Sequence, residues 1–150
     1  MKKIFLALLI STIFVACKSV ATKDNAATTT ESTTSTAAKA ISWSTDANLA
    51  TALVASQNSN QNIFVDVSTV WCGYCKKMKK SVYTQGTIIN ALNTHYVALA
   101  LDGENGDGKD LVAKYGINGF PTQLILNANG EIVKQNTGYL NEDELLTFLK

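Results

Sequence analysis

Two cysteines separated by two residues, in Trp71-Cys72-Gly73-Tyr74-Cys75-Lys76, form the densest concentration of reactive groups in this chain. An apolar, strand-like run precedes them and a helical pattern follows. Cys72 is therefore expected at a helix N-terminus, with Cys75 one turn later on the same side. Sulfurs at that spacing can close a small disulfide ring. Unpaired amides and the helix dipole favour an anion at that end, so Cys72 is expected to be the exposed, attacking thiolate. Cys75, set deeper, is expected to be the resolving thiol.

The elements that must position this pair can be read from periodicity. Ser44 to Asp46 supply N-cap candidates for a helix through about Ser56, with Leu49, Ala52 and Leu53 on one face. Ile63-Phe64-Val65-Asp66-Val67 reads as a strand. A helix starts near Cys72, runs through Met78 and Val82, breaks around Gly86 and continues through Ile88, Ile89 and Leu92. Tyr96 to Leu101 gives a second strand and Asp110 to Tyr115 a short helix. Thr122–Leu126 and Glu131–Gln135 form strands joined by Asn127-Ala128-Asn129-Gly130, a hairpin signal. Asn141 caps a last helix ending at Lys150. Early right-handed crossovers followed by a hairpin predict an α/β domain with a mixed central sheet flanked by helices.

Composition removes several function classes. With 46% hydrophobic residues, 17% charged residues and a formal net charge of +1, the chain is neither wholly disordered nor a large nucleic-acid footprint. All thirteen basic residues are Lys, so the bidentate fork used to read phosphates and base edges is absent, and no nucleic-acid partner is expected. Three cysteines, Cys17, Cys72 and Cys75, are too few and too uneven for a disulfide scaffold.

Cys17 belongs to a different signal. Lys2 and Lys3 precede an apolar run from Ile4 to Ala16, the charged start and greasy middle of a secretory signal spanning residues 1–16. At about 13 residues the run is short for a permanent span of a ~30 Å hydrocarbon core. Its end, Phe14-Val15-Ala16-Cys17, resembles the lipobox of bacterial lipoproteins, with Phe14 where Leu is usual. The resemblance implies that Cys17 is acylated as the first mature residue, a stable two-chain anchor that does not span the bilayer. Loss of the leader leaves 11 Lys against 12 carboxylates, so no strong electrostatic partner is implied.

Residues 17–40 follow as the anchor cysteine and a linker. Lys18 to Ala40 hold seven Thr, three Ser and six Ala, with Val20 the only large apolar side chain, and cannot offset the entropy of ordering. As a flexible coil those residues span about 26 Å r.m.s.. Residues 41–150 form the folded domain, large enough for one modest core.

Over Ile41 to Lys150 the element order and the Cys72/Cys75 segment resemble the thioredoxin family. The resemblance implies a thioredoxin-like fold and extends to further residues. Asp66, six residues before Cys72, falls at the family's buried carboxylate. Gly119-Phe120-Pro121-Thr122 matches the loop whose cis-proline faces the disulfide, and Gly138 sits near a late family glycine. Among apolar strand neighbours Asp66 should be hard to ionise, and so able to exchange a proton with Cys75, directly or through water. A cis bond before Pro121 would leave the Phe120 backbone free to pair with an extended substrate. Trp71, Gly73, Tyr74, Phe120 and Pro121 are the candidate substrate contacts, Trp71 serving either as a platform or as packing beside the helix start. Departures from the family are Ala98, which the spacing aligns with a frequent lysine, and Ser68, where an aromatic is common. Gly73-Tyr74 also occurs in periplasmic disulfide isomerases, which carry a separate dimerisation domain.

Rival chemistries are less well supplied. Zinc needs four ligands, and His95 is the one other soft candidate. Copper delivery would need Met78 or His95 beside the thiolates. Asp102-Gly103-Glu104-Asn105-Gly106-Asp107-Gly108 fits neither a phosphate loop nor an EF-hand and reads as a solvated loop. Lys76, Lys77, Lys79 and Lys80 read as a solvated helix face, with Lys76 near enough to help hold a thiolate. No metal and no cofactor is expected.

The reading is a monomeric thiol:disulfide oxidoreductase of the bacterial cell envelope, lipid-anchored through Cys17, periplasm-facing and acting on disulfide-containing proteins. A reductase is favoured, which in an oxidising compartment requires a membrane-embedded thiol electron donor. C-x-x-C proteins span potentials from about −270 to −120 mV, and two intervening residues do not fix the direction. The alternatives are a non-catalytic module that holds clients in the groove around Trp71 and Phe120, or a copper-delivery protein.

Overall fold

The computed structural model describes residues 40–46 and 48–150. The signal segment, Cys17 and most of the linker lie outside the described residues. The elements follow as α1 (Leu49–Ser59), β1 (Asn62–Ser68), α2 (Gly73–Ser81), α3 (Gly86–His95), β2 (Tyr96–Asp102), α4 (Gly106–Tyr115), β3 (Thr122–Leu126), β4 (Ile132–Thr137) and α5 (Glu142–Phe148). The sheet order is β2-β1-β3-β4, with β1 parallel to β2 and antiparallel to β3, and β3 antiparallel to β4. This is the mixed sheet flanked by helices that the sequence predicts.

β1 lies between β2 and β3 and is covered by helices on both faces, which is why its sequence is a nearly unbroken apolar run. Strand alternation divides those residues between two cores. Ile63, Val65 and Val67 join Ala52, Leu99, Leu101, Leu111, Leu124 and Leu126 in a cluster reached from α1 and α4. Phe64 points the other way and packs with Met78, Val82, Tyr83, Ile88, Leu92 and Leu145, from α2, α3, α5 and the turn after α2. Asp66 and Ser68 share the parity of Phe64 and so face the helix that begins at the cysteines.

Several boundaries differ from expectation because tertiary contacts set them. The cap of α1 is Asn48, whose side chain accepts from the Thr51 amide at 3.0 Å, and not a residue between Ser44 and Asp46. The Ser44 amide is committed to the Ala98 carbonyl at the edge of β2, at 2.8 Å. The same helix runs three residues beyond Ser56, to Ser59, and stops at Asn60 in the left-handed region. Gly86 opens α3 as its first residue, after a separate turn that follows the Val82 C-cap.

The largest difference is α4, which starts at Gly106 and not at Asp110. The expected solvated loop is an ordered turn and a first helical turn. Asp102 accepts from the Glu104 amide at 3.0 Å and the Asn105 amide group at 2.8 Å. Asp107 accepts from the Leu49 amide at 2.6 Å and so ties α4 to the start of α1. Gly108 lies so close to β2 that a Cβ there would stand 2.1 Å from the Asp102 carbonyl oxygen. At the other end of the domain, the hairpin turn is held by Asn127, whose side chain accepts from the Asn129 and Glu131 amides. α5 carries a full capping box between Asn141 and Glu144 and ends at Phe148, two residues short of the expected Lys150.

Candidate active site

The chain turns sharply after β1, with the Cys72 amide donating to the Thr69 carbonyl at 3.3 Å, and enters α2 with Cys72 as the N-cap. Cys72 and Cys75 form a disulfide with an S–S distance of 2.04 Å and Cα atoms 5.3 Å apart. The Cys72 Sγ accepts a hydrogen bond from the Cys75 amide at 3.0 Å, so the sulfur takes the place of the oxygen that usually caps a helix. In this oxidised form Cys72 is 4% exposed, which corrects the expectation of an exposed sulfur. The N-cap position folds the side chain back over the first turn of its own helix, towards the Cys75 amide.

The Phe120–Pro121 bond is cis. Thr122 pairs with Val67 in the sheet, which puts Pro121 at the end of β1, beside the turn that leads into Cys72. The Pro121 carbonyl accepts from the Gly138 amide at 2.8 Å, and Gly138 holds φ 116°, a backbone region open to glycine. Among the described residues, the backbone N–H and C=O of Phe120 have no partner, as a segment free to pair with a substrate strand requires.

Aromatic rings flank the disulfide turn. Trp71 is 64% exposed, meets Phe120 edge to face at 6.0 Å and donates its indole N–H to Glu104 at 3.0 Å. Gly103 makes room for this pair, since a Cβ there would fall 2.5 Å from the Phe120 ring. Tyr74 is 63% exposed and lies 6.1 Å from Tyr139, whose ring also carries the Lys77 ammonium at 4.4 Å. Gly73 is exposed between them with open space at its Cα.

Beneath α2 lies a buried polar group. Asp66 is 1% exposed, accepts from the Tyr83 hydroxyl at 2.8 Å through Oδ1, and has no hydrogen-bond partner for Oδ2. Burial holds its carboxyl above the usual 3.8, against the smaller opposing effects of the Tyr83 hydrogen bond, the Lys79 ammonium and the Ser68 hydroxyl. Tyr83 is held well above its ordinary 10.0, by burial first and then by the neighbouring Asp66, so it stays a neutral donor. Gln123, directly across the ladder from Asp66, donates to the Met78 sulfur at 3.3 Å and accepts from Asn136 at 2.8 Å.

Two positions fall elsewhere than the spacing suggested. Ala100, not Ala98, stands opposite Asp66 on β2; Ala98 stands opposite Phe64. His95 is exposed at the end of α3, just before the start of β2, whereas the cysteines follow the end of β1. β1 is seven residues long and separates them by about 20 Å, and the Met78 sulfur is buried against Gln123. His95 and Met78 therefore do not join the thiolates as ligands. Among the described residues no group of three or more His, Cys, Asp or Glu side chains converges on a metal position.

Tyr83, Lys79, Gln123, Gly103, Glu104 and Tyr139 are site residues that sequence reasoning did not single out for this role. Two had a signal. Tyr83 is eight residues after Cys75, near the same helical face, and Gln123 is a lone amide in an apolar strand.

A disulfide-bearing helix start, a buried carboxyl below it and a cis-proline beside it define the thioredoxin-like disulfide oxidoreductase fold. The chain belongs to that family: the Thioredoxin-like domain model matches residues 49–150. A Bacteroides thetaiotaomicron protein assigned as a disulphide-isomerase superposes with a TM-score of 0.64 at 34% identity, covering 73% of this chain and 90% of its own. A protein disulfide-isomerase of Ricinus communis is 30% identical over 59% of this chain and 18% of its own length. The thiol:disulfide interchange protein DsbD of Pseudomonas fluorescens is 31% identical over 56% of this chain and 15% of its own length. The chain thus spans less than a fifth of the length of these two relatives.

Proposed function

We propose that this chain is a cell-envelope thiol:disulfide oxidoreductase that reduces disulfides in protein substrates and is held at a membrane through an acylated Cys17. The observation that carries the chemistry is Cys72 as the N-cap of α2, its sulfur already aimed at a backbone N–H. When the pair is reduced, the Cys72 thiolate attacks one sulfur of a substrate disulfide, forming a mixed disulfide and releasing the first substrate thiolate. Cys75 then gives its proton towards Asp66, attacks the Cys72 sulfur, breaks the mixed disulfide and releases the second substrate sulfur as a thiolate, which takes a proton from solvent. Two electrons pass to the substrate and the protein is left as the Cys72–Cys75 disulfide. A thiol donor must reduce it again, and a membrane-embedded donor suits a tethered domain. Trp71, Phe120 and Tyr74 flank the path of an extended substrate, whose backbone pairs with that of Phe120.

The direction rests on the modest support given to the thiolate. A strong oxidant is one whose reduced form is heavily stabilised. In the disulfide form Cys72 Sγ receives one backbone N–H bond, and among the described residues no side-chain cation bonds either sulfur, so few groups stand ready to hold a thiolate. The likeness to relatives named for disulfide isomerisation and interchange agrees with a pair that attacks in its reduced state.

The deciding measurement is the equilibrium potential of the Cys72/Cys75 pair against glutathione. A value towards about −270 mV supports reduction, and one near −120 mV reverses the direction. If the Cys72→Ser/Cys75→Ser double variant keeps full activity on clients, the chain is a binding module and the proposal fails. For the anchor, mass spectrometry of the mature N-terminus is expected to find two or more acyl chains on Cys17; a free thiol there refutes it.

A further inference from the structure

We infer that Lys79 is a positioning residue for proton transfer at the disulfide, supplying from α2 the positive charge that lets Asp66 give up and regain its proton. The inference rests on the functional reading above, since it concerns the proton that Cys75 gives up. Lys79 reaches from the second turn of α2 to the Ser68 hydroxyl, where its Nζ donates at 2.9 Å. Ser68 is two residues from Asp66 on β1 and therefore on the same face of the sheet. Lys79 also lines two clefts at once. One, of about 360 Å³, is walled by Asp66, Tyr83, Trp43, Ile41 and Ala100. The other, of about 180 Å³, is walled by Ser68, Thr69, Val70 and Asp102.

No other residue among those described can do this work. Around Asp66, β2 contributes Ala98 and Ala100, β3 contributes the neutral amide of Gln123, and the entry segment contributes Ile41 and Trp43. The titratable groups on the α2 side are the Tyr83 hydroxyl, which stays protonated, the cysteine pair and Lys79. Asp102, half-buried at the end of β2, is the second carboxylate that feels the Lys79 charge. The unpartnered Asp66 Oδ2 and the cleft beside it give the proton a place to arrive and a way out. The cycle balances: Cys75–SH and the Asp66 carboxylate become Cys75–S⁻ and the Asp66 carboxylic acid, the Cys72–Cys75 bond forms as the Cys72–substrate sulfur bond breaks, the substrate sulfur leaves as a thiolate, and the Asp66 proton leaves through the cleft to solvent.

The test is a carbon-13 NMR titration of the Asp66 carboxyl in the full chain, for wild type, Lys79→Met and Lys79→Arg, alongside the pH profile of substrate reduction. Lys79→Met is expected to raise the Asp66 midpoint by roughly one pH unit and to move the carboxylate-dependent limb of the rate profile by the same amount. Lys79→Arg is expected to restore both. A Met variant with an unmoved midpoint overturns the inference, as does an Arg variant that behaves like Met. So does a moved midpoint with a stationary rate profile. Because the titration needs no turnover, it decides what Lys79 does to Asp66 even if the functional reading fails, in which case wild type shows no reduction at any pH.

Discussion

Neighbouring residues of β1 serve two cores of opposite character. Ile63, Val65 and Val67 join an apolar cluster with residues of α1, α4 and the adjoining strands, where the buried hydroxyls of Ser56 and Thr122 are hydrogen-bonded to backbone carbonyls. One residue along each time, Phe64, Asp66 and Ser68 face α2, and there the packing around Met78, Val82 and Leu92 is interrupted by a carboxyl, two hydroxyls and the Gln123 amide. The first face follows the rule that interiors are apolar. The second breaks it on the side that faces α2, and leaves one carboxyl oxygen without a hydrogen bond. A buried, half-satisfied carboxyl costs stability. Its presence on one face and not the other separates the part of the sheet that holds the domain together from the part to which the proposed function assigns proton transfer.

The sharpest test of this division is Cys72→Ser, expected to abolish disulfide exchange while leaving the denaturation midpoint of the reduced protein nearly unchanged. Leu99→Ala, on the hydrocarbon face, is expected to do the reverse. A fully buried leucine lost from that cluster should cost about 2–5 kcal/mol in urea denaturation, with turnover per folded molecule preserved. If Leu99→Ala instead slowed exchange as much as it lowered stability, the two faces would not be functionally separate.

Asp66→Asn is expected to move both properties in opposite directions. In the unfolded chain Asp66 ionises around its ordinary 3.8, whereas the folded protein keeps the proton to higher pH. Between those two values the folded state binds more protons, so the stability this group contributes is fully present below the unfolded value and is lost as pH rises through the folded midpoint. The Asn variant should lack that fall and be more stable than wild type above it, by about 1.4 kcal/mol for each pH unit between the unfolded and folded midpoints of Asp66. Its substrate reduction should be at least about tenfold slower at the resolving step. Equal pH dependence of stability in wild type and variant would show that Asp66 is not the group responsible. The smallest effect is expected from Glu104→Gln: under about 0.5 kcal/mol in stability, with altered Trp71 fluorescence and a few-fold change in KM.

What the linear sequence revealed depended on how local each feature is. Cys72 and Cys75 lie within one helical turn, Asp66 sits in the strand that leads to them, and Phe120-Pro121 carries its own backbone signature, so each could be read as a short segment. Lys79 could not, because four lysines within α2 look alike until the sheet register shows that Ser68 lies under one of them. Tyr139 and Glu104 approach the cysteines only through the turns after β4 and β2. The same reason explains the displaced helix starts. Asn48 and Gly106 begin their helices where they do because Ser44 is held by β2 and Asp107 by the Leu49 amide. Neither contact is visible in local propensity.

The sulfur that caps α2 links redox state to backbone order. An oxygen cap has fixed strength, whereas Cys72 accepts the Cys75 amide either as a neutral disulfide sulfur or, after reduction, as an anion. The anion is the better acceptor and is also favoured by the dipole. Fraying at the start of the helix is thereby coupled to electron count, so the reduced protein should exchange its Cys75 amide hydrogen more slowly than the oxidised one although a covalent crosslink has been lost.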